Sequence, residues 1–200
     1  MTSDVLYYLI ANDSSPIPIN NVNVKCLGNN YIPRKLSRKR KVDTSFVIDD
    51  FDDEGLIEKT LHEDIILISD VVGSGKTETL KQITRKLKVK YPAYWISFLA
   101  LKDNKQEYFN AKNVDGKKFM SDKILKLSSK GRFLEKHIFD FLCENKRVIF
   151  LLDGFDEICP DSKHQVIELL KDFMKTPSYK VWVTTREHLK EDLLKVLKSF

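Results

Sequence analysis

Cysteine is scarce: Cys26, Cys143 and Cys159 are odd in number and too far apart to form a CxxC pair, so they build neither a disulfide framework nor a thiolate zinc site. Reduced thiols are expected, with Cys143 and Cys159 as half-buried fillers. The histidines His62, His137, His164 and His188 are scattered without ligand spacing, which also argues against zinc. His137 lies among apolar residues at helical spacing and is expected to be packed. Apolar runs stay well short of the ~18 residues that cross a bilayer, so no membrane partner is expected. Met1 to Ile10 carries Asp4 and no basic residue, unlike a secretory signal, and a cytoplasmic location is the expectation. Internal repeats and low-complexity tracts are lacking as well.

What remains is the composition of a globular chain: 200 residues, 42% hydrophobic and 32% charged, enough for one core. The net charge of +5 comes largely from one run, Arg34-Lys35-Leu36-Ser37-Arg38-Lys39-Arg40-Lys41. That run is expected to be a solvated charged segment, with a phosphate-contacting patch or a nuclear-import signal as alternatives. Nucleic acid is not an expected partner.

Turn chemistry dominates residues 11–30 (Asn12-Asp13-Ser14-Ser15-Pro16, Gly28-Asn29-Asn30), so residues 1–30 read as an N-terminal extension and 31–200 as the folded domain. Four short apolar runs, Ile65–Ser69, Tyr94–Leu101, Val148–Leu152 and Lys180–Thr184, read as buried strands. Helical spacing recurs between and after them. One set is Leu80, Ile83 and Leu87; a second is Phe133, Leu134, His137, Ile138, Phe141 and Leu142; a third is Val166, Ile167, Leu169, Leu170 and Phe173; the last is Leu189, Leu193, Leu194 and Leu197. Residues 102–129 are Lys-rich, show a turn signal at Asp115-Gly116, and have no assignable periodicity. Strands alternating with helices need crossover connections, so the expected fold class is α/β, a mostly parallel sheet covered on both faces.

After the first strand stands Asp70-Val71-Val72-Gly73-Ser74-Gly75-Lys76-Thr77, which matches the phosphate-loop pattern GxxxxGK[ST] except at its first glycine, replaced by Asp70. Gly73, Ser74 and Gly75 would turn backbone N–H groups toward phosphate oxygens, and a helix starting near Lys76 would add its positive end. Lys76 would reach the β- and γ-phosphates and the Thr77 hydroxyl would ligate Mg²⁺, with Glu78 next in the nucleotide-binding stretch. Asp70 puts a carboxylate near the phosphates, which lowers the expected affinity.

The second signal is an apolar strand ending in Asp153-Gly154-Phe155-Asp156-Glu157. Asp153 falls at the carboxyl edge of a sheet, where α/β folds bind ligands, and could hold Mg²⁺. Glu157 is the preferred activator of an attacking water, with Asp156 second.

The apolar run followed by DGxDE resembles the second acidic motif of the NACHT group of STAND P-loop NTPases. Val183-Thr184-Thr185-Arg186 is similar to that group's sensor strand, and Tyr31-Ile32-Pro33-Arg34 to the segment lying against the base. The resemblance spans residues 31–200. It implies that Arg186 senses the γ-phosphate from a strand lying between those that carry the two main motifs, and that Tyr31 and Ile32 contact the nucleotide. It also implies a fifth strand and a winged-helix module, neither of which is found before Phe200, so the phosphate-loop strand is expected at a sheet edge. The function implied is a switch binding ATP (or GTP) with Mg²⁺ and hydrolysing it slowly, in signalling or innate-immune-type assembly, with protein partners or self-association. Two alternatives stand beside it: a non-catalytic interaction or scaffold fragment that keeps the fold, and, ranked low, a small-molecule kinase.

Overall fold

The computed structural model describes residues 36–42, 45–51, 53–59, 65–70, 75–110, 115–175 and 179–197. Its centre is a parallel sheet of four strands, β3 (Ile65–Asp70), β4 (Trp95–Ala100), β5 (Val148–Asp153) and β6 (Tyr179–Arg186), in the order β3-β6-β5-β4. The chain is thus α/β, as expected. β6 lies between the strand that leads into the glycine loop and the strand that ends in Asp153, and among the described residues β3 is an edge.

Alternation along the strands divides the core in two. Ile68, Ile96, Phe98, Ile149, Leu151 and Trp182 point to one face, where they meet Leu80, Ile83 and Leu87 of α2 (Lys76–Lys90) and Ile57 of α1 (Asp53–Lys59). Those three α2 residues and Ile57 are fully buried, each worth about 1.5–3 kcal/mol in transfer terms. Ion pairs Lys86–Glu54 and Lys90–Glu58 join the two helices along their rims. α2 stops at Tyr91 because Pro92 disfavours helical backbone in the residue before it.

The opposite face carries Trp95, Leu99, Phe150, Leu152, Val181 and Val183. It is covered by α5 (Phe133–Glu144), α6 (Lys163–Lys175) and α7 (Glu187–Leu197). The apolar stripe expected on α6 is buried at every position, Val166, Ile167, Leu169, Leu170 and Phe173.

Leu36 to Lys41, within the basic run, belong to a strand, β1 (Leu36–Val42), antiparallel to β2 (Ser45–Phe51) in a register that sets Arg38 opposite Asp49. Several expectations are corrected. In α5 the buried side chains are Ile138, Phe139, Leu142 and Cys143, whereas Phe133, Leu134 and Phe141 are exposed. His137 is exposed too, its ring lying against Phe133 rather than in the core. Asp115-Gly116 is a helix start: Asp115 accepts a hydrogen bond from the Lys118 backbone N–H and caps α4 (Gly116–Phe119), which continues as a wider turn over Met120–Ile124. The Lys-rich stretch before it begins with a short 3₁₀ turn, Leu101–Asn104, and α3 (Lys105–Phe109). Cys143 is wholly buried rather than half-buried, and burial pushes its thiol up to about 12, which keeps it protonated and inert. No described helix is long and apolar enough to cross a membrane.

Candidate functional site

The carboxyl ends of β5 and β6 and the amino end of α2 meet at one place. Gly75 immediately precedes α2 with φ 80°, a left-handed conformation natural to glycine, and its carbonyl accepts from the Thr79 N–H. Gly75, at the N-cap position, has no side chain to cap the first turn, and the positive end of α2 lies at the site. Lys76 and Thr77 are its first two residues, both half-buried.

Asp153 is the centre of the constellation and is only 7% exposed. The Thr77 hydroxyl donates to its Oδ2 at 2.7 Å, and the Thr184 hydroxyl donates to its Oδ1 at 2.6 Å. Thr184 in turn accepts from the Gly154 backbone N–H at 2.9 Å. Each carboxylate oxygen thus has a donor, which is how a buried charge is made tolerable. In-register pairing of β5 with β6 puts Asp153 and Thr184 side by side on the α2 face of the sheet.

Gly154, with φ 82°, turns the chain into a 3₁₀ turn, Phe155–Ile158, whose two apolar ends are fully buried. A Cβ on Gly154 would lie 3.2 Å from Glu157 Cδ, so the Glu157 side chain folds back over the residue that follows Asp153. Glu157 is exposed and meets Lys102 Nζ at 3.3 Å. Asp156 turns the other way, toward β6, and its carboxylate meets Arg186 Nε at 2.6 Å.

Of the residues expected in a site, Lys76, Thr77, Asp153, Asp156, Glu157 and Arg186 all belong to segments that converge here, and Gly75 shapes the helix entry. Glu78 is turned to its own helix, one oxygen 2.7 Å from Lys81 Nζ. Asp70 ends β3 in register with Arg186. Gly73, Ser74, Tyr31 and Ile32 lie outside the described residues. Two contributors were not singled out from the sequence: Thr184, whose part depends on strand register, and Lys102, whose part depends on the turn after β4. A threonine at the tip of a central strand was the available signal for the first.

The donor set at Asp153 and Thr77 is one carboxylate and one hydroxyl, both hard oxygens. Among the described residues no cluster of three or more His, Cys, Asp or Glu could cage a metal. Such a pair fits Mg²⁺, which keeps several waters and takes phosphate oxygens, better than it fits zinc. No protein-family profile matches the chain, and no curated protein matches it.

Proposed function

We propose that this chain binds a nucleoside triphosphate, ATP or GTP, with Mg²⁺, as a P-loop NTPase of the NACHT type, and hydrolyses it slowly as a molecular switch. One observation carries the reading: the hydroxyl that follows the loop lysine, Thr77, is bonded to the acid at the end of a central strand, Asp153. Two segments 76 residues apart in sequence are joined through the pair of oxygens that a magnesium–phosphate group would need.

In this reading the Lys76 ammonium and backbone N–H groups of the first helical turn hold the phosphates. Thr77 and Asp153 are the residues that would hold Mg²⁺, which when bound screens the phosphate charge. Thr184 keeps the Asp153 carboxylate aimed. Glu157, folded over Gly154, takes a proton from the water that attacks the γ-phosphorus as the bond to the diphosphate oxygen breaks. Arg186 neutralises charge on the γ-phosphate. A signalling role with protein partners follows from the resemblance to the NACHT group, and a cytoplasmic setting from the sequence of Met1 to Ile10.

The Lys102 contact on Glu157 favours a second reading, a binding fold without turnover. Titrating the chain with fluorescent ATP and ADP, with and without Mg²⁺, and following phosphate release separates the two. Mg²⁺-dependent binding with slow release supports the switch; binding without release, or weak or absent binding, overturns the switch and supports the scaffold fragment.

A further inference from the structure

The DGxDE turn holds two acids, and the geometry gives them different partners. Glu157 is exposed and turned back over Gly154. The Asp156 side chain is only 9% exposed and directed at the Arg186 guanidinium. We propose that Asp156 is a positioning residue: it holds Arg186 by Nε so that the rest of the guanidinium faces the triphosphate, and thereby sets the preference for tri- over diphosphate. This rests on the nucleotide reading above.

The platform is rigid on both sides. Asp156 sits in a 3₁₀ turn pinned by Phe155 and Ile158, both wholly buried, and closed by a Glu157 N–H to Gly154 O bond of 2.9 Å. Arg186 follows Thr184 and Thr185, buried to 1% and 0%, at the tip of a strand paired on both sides. A guanidinium has five N–H donors, and one carboxylate can engage two of them. At least three are left for an anion, and the arginine side chain is 44% exposed, so an anion can reach it. With one edge fixed by a nearly buried carboxylate, the arginine loses little further rotamer freedom when it meets a phosphate. A base acting on water would need its carboxylate open to that water, and Asp156 has its carboxylate committed to Arg186.

The test is a binding cycle on the full chain: dissociation constants for Mg-ATP and Mg-ADP in wild type, Asp156→Ala, Arg186→Ala and the double variant. Asp156→Asn serves as the conservative control, since its amide oxygen still accepts from Nε. The expected result is ATP binding weakened about tenfold by Asp156→Ala, with ADP binding within about twofold. Arg186→Ala should give the same loss, the double variant no more than either alone, and Asp156→Asn a partial return. Should Asp156→Ala fail to fold, Asp156→Asn against Arg186→Ala decides on the same ratio. Tighter ATP binding on losing Asp156 would mean that the acid competes with phosphate for Arg186, and would overturn the proposal. An unmoved ATP-to-ADP ratio, additive effects, or lost turnover with unchanged ATP affinity would overturn it as well while leaving nucleotide binding standing. A wild type that binds neither nucleotide overturns the nucleotide reading and this inference together.

Discussion

Strands β5 and β6 change character along their length. Val148 to Leu152 and Val181 to Val183 are apolar and nearly or wholly buried; one or two residues further on, Asp153, Thr184 and Thr185 are polar and almost equally buried. The first region gains stability simply by leaving water. The second has to satisfy every polar group with another, and Thr185 Oγ1 has no hydrogen-bond partner among the described residues. Burial of that kind is costly unless paired, and its concentration at the strand tips sets the candidate site apart from the core.

Substitutions in the two regions should therefore fail in different ways. The largest effect on stability is expected at Phe150, which is wholly buried with its ring against Phe139, Phe173 and Tyr179. Phe150→Ala should lower unfolding free energy by about 3–5 kcal/mol, measured by denaturant titration. A loss under about 1 kcal/mol would mean that the apolar half of the strand does not bear the fold. At the tip, Glu157→Gln should leave ATP binding in place and reduce phosphate release by roughly 10²–10⁴-fold. Undiminished release would remove Glu157 as the base.

Thr184→Val keeps the shape of the side chain but strands the Gly154 N–H and Asp153 Oδ1. It should cost about 1–3 kcal/mol in the same titration and also weaken Mg²⁺-dependent binding. Were stability to fall without any change in binding, Thr184 would be structural alone.

The smallest effect lies far from the tips. Burial acts against the charge on Asp122, yet hydrogen bonds from Ser128 and Ser121 and the nearby Lys136 ammonium hold its carboxyl below the ordinary range. A carboxyl lowered in the folded state contributes stability that is present above its unfolded value, near ~3.9, and is lost as pH falls through the folded one. Asp122→Asn should accordingly cost a few tenths of a kcal/mol at neutral pH and flatten the acid limb of the stability curve below about pH 4. An identical acid limb in both proteins would assign that loss to other carboxyls.

The sequence carried the apolar strands well and the register-dependent contacts poorly. Ile65–Ser69 and Val148–Leu152 are rich in Ile, Val and Leu and correspond to strands extended by one residue each. The placement of Lys76 and Thr77 at a helix start and of Asp156 and Glu157 just after β5 was readable because it is written in consecutive residues. The β1–β2 hairpin was not readable, since Arg38-Lys39-Arg40-Lys41 has neither the alternation nor the β-branched content of a typical strand. Phe133, Leu134 and Phe141 mis-phased α5, because spacing alone cannot tell which of two apolar stripes is covered. Residues 101–109 and 116–124 form helical pieces too short to establish a period. The choice of Asp156 for Arg186 needs the order β3-β6-β5-β4, which no local pattern encodes.

If the amino end of α2 and the tip of β5 together hold a magnesium–nucleoside triphosphate, binding must depend on Lys76. Lys76→Ala, checked for an unchanged far-ultraviolet circular dichroism spectrum and melting temperature, is titrated with fluorescent ATP in the presence and absence of Mg²⁺ beside the wild type. Saturable, Mg²⁺-dependent binding is expected of the wild type, with a loss of at least about tenfold in the variant, since the side-chain cation on the β- and γ-phosphates is removed. Equal affinity in a folded Lys76→Ala protein would contradict it.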